Sequence, residues 1–192
     1  MTRGHGSCPK GLSKSPCKRS LMSVSKSLRA MALAVVLVSP LAAPAHAGDW
    51  KVDTSVACRV WNPHPQPNEG VRWSGACVNG FAQGRGTVQW IRNNVPYETD
   101  EGEWREGYQT GYGTQVWPSG RYDGGLVQSE PEGGGKFVLQ TSHYEGEFHN
   151  GKPNGTGTLT SPSGEFHGTW TDGCFHEGAK KTAFGVPLST CP

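Results

Sequence analysis

The sequence predicts an all-β protein, an elongated and twisted single antiparallel sheet of stacked β-hairpins, and three observations carry that expectation. Glycine returns in one frame: Gly75, Gly102, Gly124, Gly146 and Gly168 stand 27, 22, 22 and 22 residues apart, and glycine recurs nine and eleven residues after the first four of them. Large residues alternate with these anchors at period two, as in Tyr144, Gly146 and Phe148, which places them on one face of a strand and Glu145, Glu147 and His149 on the other. Between the halves lie Asn79-Gly80, Glu106-Gly107, Asn150-Gly151 and Asp172-Gly173, and Asn-Gly and Asp-Gly are the pairs a two-residue hairpin turn prefers.

In chain order, residues 1–47 read as a secretory signal peptide. Seven basic residues and no acid lead into an apolar run from Ala30 to Val38, and Ala45-His46-Ala47 offers small residues for cleavage. The run is about half of the roughly 20 residues a membrane-crossing helix needs. Met22 would start a leader of more ordinary length. Removing the leader leaves 11 basic against 16 acidic residues, so the formal charge moves from +2 to −5. No cluster of Lys and Arg remains, which argues against nucleic acid and anionic membrane as partners. The expected product is exported, periplasmic or extracellular, and soluble after cleavage near Ala47.

Residues 48–71 form a Pro-rich N-terminal lead-in and cap. Their Trp61-Asn62-Pro63-His64-Pro65-Gln66-Pro67 stretch is held extended by its prolines and is expected to cover the open edge of the first hairpin. Residues 72–175 hold five copies of the repeat. Glycine weakens a strand, so its regular use needs close approach by something bulky, here the neighbouring aromatic ring. Ring over glycine gives a single sheet an apolar ladder without a second layer. With simple pairing, Gly155, Gly157 and Leu159 share the ring-bearing face. Gln128-Ser129 predicts an irregular third hairpin, RNNVPYETD after Ile91 is an insertion in the frame, and the fifth copy has Glu177 and Ala179 where glycines belong. Pro118-Ser119-Gly120 and Pro162-Ser163-Gly164 are tight connectors. Residues 176–192 are the C-terminal cap that a stacked array requires.

The stretch YEGEFHNGKPNGTGTLTSPSG from Tyr144 resembles a MORN repeat, in which YxGxW, a turn, GxGxx and a proline-glycine connector follow one another. Five copies spread the resemblance over residues 72–175. It implies stacked hairpins in an elongated sheet and a role in attachment or scaffolding, with lipid binding attributed to some members.

Cys8 and Cys17 leave with the leader; Cys58, Cys77, Cys174 and Cys191 remain. An even number without CxxC pairs, in an exported chain, predicts disulfides. Two of the three possible pairings join the ends of the array, which about ten strands at roughly 4.8 Å spacing hold near 45 Å apart. A disulfide keeps its Cα atoms within about 7 Å, leaving Cys58–Cys77 and Cys174–Cys191.

Motifs of catalysis are sparse. No GxSxG or HExxH is present and no cofactor is implied. In EGGGK, Glu132 to Lys136, Phe137 stands where a phosphate loop needs Ser or Thr. The histidines and glutamates of the polar face are separated by about 7 Å along a strand and about 10 Å between equivalent hairpin positions. Zinc ligands must converge near 2 Å from one point, so no metal is expected. The candidate binding surface is an aromatic groove of Trp73, Trp104, Tyr122, Tyr144, Phe148, Phe166 and Trp170, although Tyr144, Phe148, Trp104, Phe166 and Trp170 are expected to be structural first. The expected function is that of a non-catalytic binding or scaffold protein of the cell envelope or periplasm, with an envelope protein or a glycan as partner. The alternatives are a glycan-acting envelope enzyme using Glu145, Glu147 or Glu165, and a lipid-associating module, which the charge opposes.

Overall fold

A computed structural model describes residues 48–192; the signal peptide expected at 1–47 lies outside the described residues. Fourteen strands make one sheet. A first hairpin, β1 (Asp49–Asp53) and β2 (Cys58–Asn62), precedes the broken strand β3 (Glu69–Trp73) and β4 (Ala76–Val78). Then come β5 (Phe81–Arg92), β6 (Val95–Arg105), β7 (Tyr108–Trp117), β8 (Gly120–Val127), β9 (Glu130–Leu139), β10 (His143–His149), β11 (Lys152–Ser161), β12 (Gly164–Thr171), β13 (Cys174–Glu177) and β14 (Lys180–Ala183). From β5 onward each strand pairs antiparallel with the next; β3 and β4 both pair with β5, and β2 meets β5 in parallel at Arg59 and Phe81.

The five repeat turns share one conformation. Asn79, Glu106, Gln128, Asn150 and Asp172 have φ between 48° and 53°, and each is followed by a residue at positive φ. Two left-handed residues in succession make the turn whose twist matches paired strands. The third hairpin therefore corrects the sequence expectation: Gln128-Ser129 is as regular as the others, although Ser129 stands where the other turns have glycine. Ser129 is held there by two bonds to one residue, its amide donating to the Gln109 carbonyl at 2.9 Å and its Oγ accepting the Gln109 amide at 3.0 Å. The same inter-repeat bond recurs along the array, from Gly107 to Ala82, Gly151 to Pro131 and Gly173 to Pro153.

The glycines divide into two classes. One of each hairpin's pair, such as Gly155 at φ 103°, lies where the strand register shifts, so the simple pairing of Gly155 with the ring-bearing face does not occur. The other joins a row across eight strands: Gly86, Gly102, Gly113, Gly124, Gly135, Gly146, Gly157 and Gly168. Tyr122 lies over Gly124 and Gly135, Tyr144 over Gly146 and Gly157, and Trp73 over Gly75 and Gly86, so a side chain at any of these glycines would run into a ring. Tyr122 Oη donates to the Gly125 carbonyl at 2.8 Å and Trp170 Nε1 to that of Gly157 at 3.2 Å.

The insertion RNNVPYETD is an extension of a hairpin: β5 and β6 run on to a turn at Asn93-Asn94. Both ends are capped. At one, Trp50 of β1 packs edge-on to Trp61, Phe81 and Tyr108, with centroids 5.1–5.2 Å apart, and the Trp61 amide donates to the Gly107 carbonyl. At the other, the chain after β14 turns back so that Phe184 stacks on Tyr144 at 5.7 Å. Disulfides Cys58–Cys77 and Cys174–Cys191 tie these segments down.

Candidate functional site

One row of cross-strand neighbours runs beside the glycine row on the ring-bearing face: Trp73, Val88, Asp100, Gln115, Tyr122, Phe137, Tyr144, Leu159 and Phe166. Seven are apolar. The two polar members, Asp100 and Gln115, both belong to the second copy, and they separate two apolar clusters centred on Trp73, Trp90 and Trp104 and on Tyr122, Tyr144 and Trp170.

The second copy departs from the repeat at three inward positions that fit one another. Asp100 replaces the ring of Tyr122 and Tyr144, Gln109 replaces Pro131 and Pro153, and Gln115 replaces Phe137 and Leu159. The space over Gly102 and Gly113 is filled by the Gln109 side chain; a Cβ on Gly113 would lie 2.6 Å from its Nε2. That nitrogen donates to the Glu101 carbonyl at 3.1 Å, and Gln109 Oε1 accepts from Gln115 Nε2 at 3.1 Å. The Asp100 carboxyl is left against the cavity. Its Oδ2 accepts the Trp90 indole N–H at 2.6 Å, while its buried Oδ1 has no partner.

Above this floor lies a groove of 700 Å³. Trp61, Asn62, Pro63, His64 and Gln66 line it from the N-terminal cap, and Ala183, Phe184 and Gly185 from the C-terminal one. The Pro-rich segment borders the cavity as well as the array's first strands: Trp61 and Asn62 belong to β2, whose Trp61 amide donates to the Gly107 carbonyl, and Pro63, His64 and Gln66 line the cavity. His64 Nε2 reaches across to Glu130 Oε1 at 3.4 Å, and the hydrogen bond to Glu130 raises the imidazole pKa. The extended hairpin contributes Arg92, Tyr97 and Glu98. Tyr97 occupies the position where register shifts, which re-aims it so that its hydroxyl donates to Glu69. Glu69 also accepts from Asn62 Nδ2 at 2.7 Å and from the Gln66 amide at 3.2 Å.

Three carboxyls, Glu69, Glu98 and Asp100, therefore act on one another, and Glu98 and Asp100 line the groove. Burial, with the charge of Glu98 beside it, holds the Asp100 carboxyl well above the usual carboxylate range. Burial, reinforced by the charge of Glu69, pushes Glu98 up to about 7. An unsatisfied buried polar atom costs about 1–3 kcal/mol, whereas the rings of Tyr122 and Tyr144 at the equivalent positions have their hydroxyls bonded to backbone carbonyls. What Asp100 gives the fold is its bond to the Trp90 indole, and its second oxygen gives none.

Of the seven aromatic residues expected to form the groove, Trp73, Trp104, Tyr122, Tyr144, Phe148 and Trp170 are 6% exposed or less, and Phe166 is half-buried. They form the two clusters, and only Phe148 borders the cavity. The rings that line it are others, among them Trp61, Trp90, Trp117 and Phe137. Glu145, Glu147 and Glu165 do not line it: Glu145 pairs with Lys136 at 2.9 Å and Glu147 accepts the Thr156 amide at 2.6 Å. His149 pairs with Glu132 and His167 with Thr158, and among the described residues no group of three or more ligating side chains could hold a metal ion. The site residue that sequence reasoning missed had a visible signal. Two residues before each anchor glycine stand Trp73, Asp100, Tyr122, Tyr144 and Phe166, and Asp100 is the polar exception.

An open sheet of stacked hairpins with a groove on its ring-bearing face defines a repeat-sheet binding protein. The MORN repeat family model matches residues 101–120 and 144–166, and the chain carries MORN repeats. No curated protein matches the chain.

Proposed function

We propose that this chain is a non-catalytic binding protein of the cell envelope, exported and held together by its two disulfides, which attaches a ligand or partner through the groove between its caps. The observation that carries the reading is the second copy, where Asp100, Gln109 and Gln115 replace three apolar repeat residues in register and leave an unpaired carboxyl oxygen beneath the cavity. MORN arrays support a binding or scaffold role, and disulfides fit folding in an oxidising compartment.

The test is capture of envelope components by the immobilised mature protein, comparing wild type with Gln115→Phe, which writes the third copy's residue into the second and fills the groove floor. Material retained by wild type and lost by the variant supports the reading. Equal retention by both places attachment elsewhere on the sheet. Turnover of an envelope glycan, abolished by Glu98→Gln, would replace it with an enzymatic role.

A further inference from the structure

One strand of the sheet lacks a neighbour that the repeat frame calls for. In the fourth copy β10 lies between β9 and β11, with Gly146 opposite both Gly135 and Gly157 and Tyr144 opposite both Phe137 and Leu159. In the fifth, β12 has β11 on one side, with Gly168 opposite Gly157 and Phe166 opposite Leu159. On its other side β13 pairs only with Trp170 and Thr171. The cause is a missing glycine. The second strand of the fourth hairpin passes its register shift at Gly155, whose φ is positive, and the fifth copy has Glu177 there. The chain turns away at Gly178 into β14 instead. Backbone groups of an antiparallel strand point to alternate sides. Thr171 is paired with Cys174 across the Asp172-Gly173 turn, so Glu165, His167 and Thr169 direct their N–H and C=O groups to the same side. All three residues are exposed, and among the described residues no backbone bond meets them there.

The last strand, β14, carries Lys180 and Lys181, charges of the kind that blunt a sheet edge, whereas β12 has no lysine and no proline. We infer that the open edge of β12 takes an extended segment of a partner protein as an added strand. This surface is separate from the groove, which no residue of β12 lines. The rows of the array say what fits it. The ring of Phe175, on the open side, leans over Gly168 to within 3.1 Å of where a Cβ would stand, so the partner residue opposite Gly168 must be small. Opposite Phe166 belongs an apolar side chain, as Leu159 is on the other side, and opposite Glu165 a basic one. Along the partner strand the order is glycine, any residue, apolar, basic. A second copy of the chain fits less well. Two β12 edges paired about His167 would set Gly164 of one against Trp170 of the other, where β13 already lies.

The probe is a synthetic peptide of residues 154–161 with Thr160→Lys, blocked at both ends, titrated into the mature protein while amide exchange is followed by NMR. In the free protein the amides of Glu165, His167 and Thr169 should exchange fast and those of Phe166 and Gly168 slowly. Bound peptide should protect the first three. N-methylation of the peptide at Thr158, which removes a donor and adds bulk, should weaken binding roughly tenfold or more. Gly157→Val in the peptide should do the same by meeting the Phe175 ring. In the protein, His167→Pro should block the edge, and proline is tolerated where the N–H faces no neighbouring strand. Should that variant fail to fold, the N-methylated peptide on the wild-type protein carries the test. Equal binding of the N-methylated peptide, protection on strands other than β12, or no binding of the parent peptide overturns the inference. A dimer in sedimentation that His167→Pro dissolves would overturn it too, by giving the edge to a second copy.

Discussion

The second and fourth copies of the repeat lie in one frame, and both match the family model, yet they are built from opposite chemistry. In the fourth, Tyr144 covers Gly146 and Gly157 and Phe148 packs edge-on to it at 5.1 Å. In the second, Asp100 and the Gln109 amide take the ring's place, and Trp104 packs on Trp73 at 5.4 Å with its indole nitrogen unpaired. The glycine row and the turn geometry survive this exchange. What the backbone requires is a filled space over the glycines, and a hydrogen-bonded amide fills it as a ring does. The fourth copy is a unit of stability, whereas the second gives up stability to place a carboxyl under the groove.

That contrast can be broken most sharply by truncating equivalent rings. Phe148→Ala should lose about 3–5 kcal/mol, read as a fall in denaturation midpoint. Trp104→Ala, two residues after its own anchor glycine, should lose roughly 1 kcal/mol less, because it also removes an unpaired buried donor. Equal or greater loss at Trp104 would put the two copies on the same footing.

Rewriting the second copy as the fourth sharpens the comparison. Asp100→Tyr alone drives a ring into the space of the Gln109 amide and should destabilise by about 1–3 kcal/mol. Adding Gln109→Pro and Ser129→Gly should recover that loss, with a coupling of about 0.5–3 kcal/mol in the mutant cycle. Strict additivity would mean that the three departures are unrelated.

Smaller effects follow from charge. Glu98 titrates at about 7 folded against 4.5 ordinarily, so the folded chain binds more protons between those values and loses stability as pH rises through them. Glu98→Gln should flatten that dependence and be more stable than wild type at pH 8 by about 1–2 kcal/mol. Thermal melts from pH 4 to pH 8 would reveal a wild-type slope of the wrong sign if Glu98 were ionised throughout. The His64–Glu130 pair is more exposed. With its folded pKa raised, the pair's contribution is complete below 6.5 and lost as pH rises through the folded value. His64→Gln should therefore cost a few tenths of a kcal/mol in acid and nothing in base.

The hairpin array was legible in the sequence because glycine spacing and turn pairs are local signals. The Cys58–Cys77 and Cys174–Cys191 bridges followed from the length of an open sheet. The register shift that puts Gly155 at positive φ was not legible, since two glycines at period two look alike until the strands are paired. Ser129 was misread because its turn is held by Gln109, 20 residues away. The site was hidden for a similar reason. Asp100 is conspicuous only when aligned with Tyr122 and Tyr144, and the cavity above it is made by the insertion and by both caps, which carry no repeat.

The bond that each turn residue sends back to the preceding hairpin, Gly151 to Pro131 and Gly173 to Pro153 among them, makes every step of the array equivalent to the next. Such a lattice can be lengthened or shortened only in whole units. His64 of the first cap and Phe184 of the second both reach β9, at Glu130 and at Phe137, so a copy added to the array or removed from it would change which strand each cap meets.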